Sequence, residues 1–98
     1  MTRFEVVVLP EAEAAIRGAF FWYFERSPIA ADAFRAEALD AIDLLATDAT
    51  ICPKDEDGIH RDILRHFPYT VFYEVDNLTV TVLAVAHQRR EPGYWRAR

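Results

Sequence analysis

The sequence predicts an α+β domain in the order β-α-α-β-β-β, with a layer of helices on one face of a sheet. Three observations predict it. A β-branched run of strand length, Arg3 to Leu9, stops at Pro10. Two helical stripes follow, separated only by Ser27-Pro28. After a polar stretch rich in helix breakers come three strand-length runs, the last two split by Asp76-Asn77. Ninety-eight residues suit one two-layer core, so residues 1–98 are read as a single domain.

Each element has a local cause. Arg3 to Leu9 is β-branched and carries the first strand. Pro10 suits the first turn of a helix, and Glu11 and Glu13 suit its positive end. That helix is predicted over Pro10 to Arg26, with Ala12, Ile16, Ala19 and Tyr23 on one stripe. Its second half, Phe20 to Phe24, is aromatic on all sides. Phe20 and Tyr23 are expected inward, Phe24 with them, and Phe21 and Trp22 at least partly outward.

Ser27 is a good N-cap and Pro28 a good first residue for a second helix, predicted over Pro28 to Ala46. Phe34, Ala38, Ala41, Ile42 and Leu45 form its buried stripe, while Asp32, Arg35, Asp40 and Asp43 read as a solvated face. So short a joint makes the two helices an antiparallel hairpin. Thr47 to Gly58 is a loop, and strands are predicted over His60–Arg65, Tyr69–Val75 and Leu78–Ala86. Asp76-Asn77 serves as a two-residue turn, because both types tolerate positive φ. The register then sets Val75 opposite Leu78, Tyr73 opposite Val80, Val71 opposite Val82 and Tyr69 opposite Ala84, an apolar face for the helices. The other face pairs Glu74 with Thr79, Phe72 with Thr81 and Thr70 with Leu83, and continues to Val85 and His87.

Composition narrows the function classes. No apolar run is long enough to span a bilayer, and the N-terminus lacks the pattern of a signal peptide. A lone cysteine, Cys52, permits no internal disulfide and fits a reducing cytoplasm. Three histidines and that cysteine show no metal-ligand spacing, so no metal or cofactor is expected. The net charge of −5 divides into −7 over residues 1–58 and +2 over residues 59–98. A chain this acidic is poorly suited to nonspecific nucleic-acid binding, and protein is the more natural partner of its acidic and aromatic surface.

Phe67-Pro68-Tyr69 opens the central strand, and His87-Gln88-Arg89-Arg90-Glu91-Pro92-Gly93-Tyr94-Trp95 follows the last. With the element order, these motifs resemble the ParE/RelE toxins of type II toxin–antitoxin pairs over nearly the whole chain. The His-x-Arg-Arg-x-Pro-x-x-Trp pattern looks closer to the ParE branch. That resemblance implies a four-stranded, mostly antiparallel sheet with the helical hairpin on one face. It also implies a bacterial cytoplasmic toxin that inhibits DNA gyrase and is neutralised by a ParD-like antitoxin in a hetero-oligomer. DNA would be met only indirectly, through the antitoxin. RelE-like relatives instead cleave messenger RNA on the ribosome, a job that needs proton donors, proton acceptors and cations around the phosphate. Here that set is Arg61, Arg65, His87, Arg89 and Tyr94, and the chain has one lysine, Lys54, in a loop.

Several residues carry two readings each. His87 is an acid/base or, the favoured use, an anchor for the tail. Arg89, Arg90, Tyr94 and Trp95 are candidates for meeting the target, with Trp95 equally able to fold back on the core. Phe21, Trp22, Phe72, Leu83 and His87 are candidates for the antitoxin, since an exposed ring pair marks an interface. His60, His66 and Cys52 read as structural or incidental. The leading reading is a toxin that acts by binding and is not itself an enzyme. The alternatives are a RelE-type endoribonuclease and a non-toxic binding module on the same fold.

Overall fold

Pro10 and Pro28 each open a helix in the computed structural model, which describes residues 2–89. The order is β1 (Glu5–Val8), α1 (Pro10–Phe24), α2 (Pro28–Asp48), β2 (His60–Ile63), β3 (Tyr69–Asp76) and β4 (Thr79–His87). Glu11 and Glu13 lie in the first turn of α1. Ser27 caps α2, its hydroxyl accepting the Ala30 N–H at 3.2 Å. The helix ends differ from expectation: α1 stops two residues short of Arg26, and α2 runs two residues past Ala46. β1 and β2 are also shorter than predicted.

The helices form a hairpin over one face of a four-stranded sheet ordered β1-β4-β3-β2. β1 lies parallel to β4, and the other pairings are antiparallel. Tyr73, Phe34, Val71, Val80, Val82 and Val85 are the largest fully buried side chains and form the seam between the layers. The Tyr73 hydroxyl donates to the Ala49 carbonyl at 2.8 Å. His60 stacks on the Tyr73 ring at 4.9 Å and donates Nδ1–H to the Cys52 carbonyl at 2.8 Å. These bonds pin the stretch after α2 onto the sheet. It also covers the outer edge of β2, where the Arg61 N–H donates to the Pro53 carbonyl at 3.2 Å.

The β3–β4 register corrects the prediction twice. Asp76 pairs with Thr79, so the turn is Asn77-Leu78, and Asn77 alone takes a positive φ of 54°. Tyr73 therefore sits opposite Val82 and Val75 opposite Val80, a slip of two residues that keeps each side chain on its predicted face. A second shift falls between Tyr73 and Phe72, because Phe72 pairs with Ala84 and leaves Leu83 without an opposite number on β3. This β-bulge reverses the faces beyond it. Val71 now pairs with Val85 and Tyr69 with His87, so Val85 and His87 join the helix side, contrary to expectation. Val85 is accordingly 1% exposed and part of the core.

Candidate functional site

The aromatic end of α1 leaves three large rings outside the core. Ala12, Ile16 and Ala19 spend its buried stripe on the sheet, so the rings that follow have too little core to enter. Phe21, Trp22 and Phe24 are 59%, 51% and 49% exposed. Phe24 is thus outward, against expectation; it stacks on Phe20 at 5.9 Å. Tyr23 goes inward, edge-on to Phe67 at 5.2 Å and tilted against Phe34 at 5.4 Å, and burial raises its hydroxyl above the usual tyrosine range. Trp22 is held in place by Arg26, whose guanidinium lies 3.7 Å from the ring centroid and donates to the Trp22 carbonyl at 2.7 Å. A ring ordered in advance loses little freedom when a partner covers it.

Beside Trp22 runs a groove of about 600 Å³ between α1 and the ends of β3 and β4. Gly18 and Trp22 line one wall, Pro68 and Tyr69 another, and Val85 and His87 the floor. His87 is here because of the bulge. Its ring meets Tyr69 edge-on at 5.2 Å, and its Nδ1 accepts the Arg89 N–H at 3.0 Å. That bond places the proton of the neutral ring on Nε2. The anchoring use of His87 therefore has a geometry: it holds the first residues after β4.

The opposite sheet face carries Arg61, Ile63, Phe72 and Thr81, alternating with the buried residues of their strands. The Arg61 guanidinium lies 5.8 Å from the Phe72 ring centroid. Ile63 is 62% exposed, and Phe72 and Leu83 are half-buried. The proposed antitoxin residues thus fall on two surfaces: Phe21, Trp22 and His87 on the helix side, and Phe72 on the far side of the sheet beside the bulged Leu83. The four described residues of the nuclease reading are not gathered either. Arg61 and His87 occupy opposite faces, Arg65 lies in the β2–β3 loop, and Arg89 follows β4. Arg90, Tyr94 and Trp95 lie outside the described residues, as does any pairing of Tyr94 with this set.

Sequence reasoning passed over Glu37. Its Oε2 accepts the N–H groups of Arg65 at 2.6 Å and His66 at 3.1 Å, and its Oε1 accepts His66 Nδ1–H at 2.7 Å. Burial alone would raise this carboxyl, but the His66 ring, the two amides and the His66 charge outweigh it and hold it below the usual range. Asp62, on β2, is raised by burial and by the negative charge of Glu37. The signal was present in the sequence: Glu37 stands three residues after Phe34 and four before Ala41, a carboxylate on an otherwise apolar stripe. His66 thereby gains a structural use. No group of three or more metal-ligating side chains is assembled among the described residues. None of their helices is long and apolar enough to cross a membrane.

The described residues thus form a helical hairpin on a mixed four-stranded sheet, with exposed rings beside a groove. Residues 6–92 match the family model described as "ParE toxin of type II toxin-antitoxin system, parDE", and the chain belongs to that family. None of the curated proteins compared with the chain matches it. Among solved structures, it is similar to a chain of a chromosomal ParDE TA system from P. aeruginosa, with a TM-score of 0.77 at 15% identity. The match covers 87% of this chain and 96% of that one. At that identity the likeness establishes the fold, and family membership rests on the sequence match.

Proposed function

We propose that this ParE-family toxin acts as a protein-binding inhibitor of DNA gyrase and is neutralised by a ParD-like antitoxin. In this reading it makes and breaks no covalent bond, needs no metal or cofactor, works in the cytoplasm and meets DNA only through the antitoxin. The observation that carries it is the exposed Trp22 ring, held by Arg26 on the wall of the groove with exposed Phe21 next to it in the chain, an apolar landing surface beside a shaped cleft. A helix of the antitoxin C-terminal half, folding as it binds, suits that surface and reaches His87. Phe72 and Leu83 offer a second contact on the sheet. Arg89, Arg90, Tyr94 and Trp95 are assigned to the target, because cations and large rings concentrate there in a chain with net charge −5.

A supercoiling assay with purified toxin tests the target. Inhibition with accumulation of cleaved complex at micromolar toxin is the expected outcome, and its absence removes gyrase. Primer extension on messages from cells expressing the toxin addresses the nuclease alternative. Intact messages with an induced DNA-damage response are expected, because Arg61 and His87 act on different sheet faces; codon-positioned cuts would reverse the reading. Co-purification with the product of a neighbouring ribbon-helix-helix reading frame tests the antitoxin.

A further inference from the structure

The loop between β2 and β3 links three elements that are otherwise separate. β2 ends at Ile63, so the amides of Arg65 and His66 have no strand partner. Glu37 of α2 takes both, together with the His66 ring. The next residue, Phe67, is wedged edge-on against Tyr23 of α1 and Phe34 of α2, at 5.2 and 5.5 Å. Pro68 follows, and its carbonyl accepts the N–H of Gln88, the first residue past β4, at 2.8 Å. Tyr69 then meets His87, which accepts the Arg89 N–H at 3.0 Å. From the Glu37 carboxylate to Gln88 and Arg89, every step is a hydrogen bond, a ring contact or a peptide bond.

We infer that Glu37 is a positioning residue for the exit of the chain from β4. By fixing loop residues 65–68 it fixes where the Pro68 carbonyl stands. That carbonyl in turn sets the direction in which Gln88 and Arg89 leave the sheet. The functional consequence, that Glu37 governs how Arg89 is presented to the target, rests on the reading of Arg89 proposed above. The coupling itself does not. The carboxylate is suited to this role because charge-assisted acceptors make shorter and stronger bonds than neutral ones, and three donors converge on it. A two-ended link of this kind is reciprocal: loosening either end loosens the other.

Amide hydrogen exchange on the full chain measures the coupling directly, comparing wild type with Glu37→Ala and Glu37→Gln. Val82, at the centre of the sheet, reports global stability. In Glu37→Ala the Arg65 and His66 amides are expected to exchange about tenfold faster or more, and Gln88 to rise with them, beyond any change at Val82. Glu37→Gln, which keeps shape and an acceptor oxygen, falls between and guards against a variant that fails to fold. Faster exchange at Arg65 and His66 with Gln88 unchanged would leave Glu37 a local clamp and overturn the inference. Gln88 moving only in step with Val82 would overturn it equally. A supercoiling assay on the same variants separates the two claims. A wild-type chain that leaves gyrase untouched defeats the proposed target, while the exchange result still decides the coupling.

Discussion

Tyr73 donates its hydroxyl to the Ala49 carbonyl from a position with no solvent exposure. Tyr73→Phe keeps the ring stack with His60 and strands that carbonyl in the core. Its expected cost is about 1–3 kcal/mol. The melting temperature should fall by roughly 4–8 °C per kcal/mol for a domain of this size, read by circular dichroism. Glu37 makes a different kind of contribution, one that depends on pH. Its folded carboxyl is held below the ordinary value of 4.5, so the stability it adds is complete above that value. It is lost as pH falls through the folded value. Asp62 has the opposite sign: its folded carboxyl is raised above 3.8, so its charge opposes folding at neutral pH, and protonation on acidification relieves that penalty. Urea titrations across the acid range should therefore show Glu37→Gln flattening the acid limb of the stability curve, and Asp62→Asn raising stability at pH 7. An acid limb left unchanged by Glu37→Gln would contradict the assignment.

The bulge in β4 decides what its last third does. Val85→Ala is expected to cost about 2 kcal/mol, as for any buried valine, whereas Thr81→Ala on the far face should cost about 1 kcal/mol or less, mainly lost β-propensity. Equal effects in urea unfolding would mean that Val85 faces solvent after all. The sequence made most elements legible, because Pro10, Ser27-Pro28 and the turn after Val75 mark their boundaries. The bulge was not legible, since Val82-Leu83-Ala84-Val85-Ala86 is apolar throughout and holds no polar residue to reveal a change of face. The two-residue slip was equally silent, because it keeps every face as predicted. On α1, the exposed pair was readable from an excess of rings over buried positions. Phe21→Ser should leave stability within about 0.5 kcal/mol, since Phe and Ser have similar helix propensity. If the proposed antitoxin site is right, it should weaken capture of a ParD-like antitoxin about tenfold or more by calorimetry.

At the scale of the molecule, helices and sheet share one core, with Phe34 of α2 and Tyr73 and Val85 of the sheet in the same cluster. Neither layer keeps an interior without the other. Urea is expected to melt both together, with coincident transitions in far-UV circular dichroism and tryptophan fluorescence. Separate midpoints would show that the hairpin stands alone. The parallel pairing of β1 with β4 has a further bearing on how this toxin is born. Glu5 to Val8 emerge first from a translating ribosome, yet their partners Thr79 to Val82 emerge more than seventy residues later. β4 also separates β1 from β3, so the earlier strands have no sheet to share until it arrives. A half-made copy therefore has neither a closed sheet nor a floor to its cleft. The cleft, and whatever a partner reads in it, takes shape no earlier than the translation of β4.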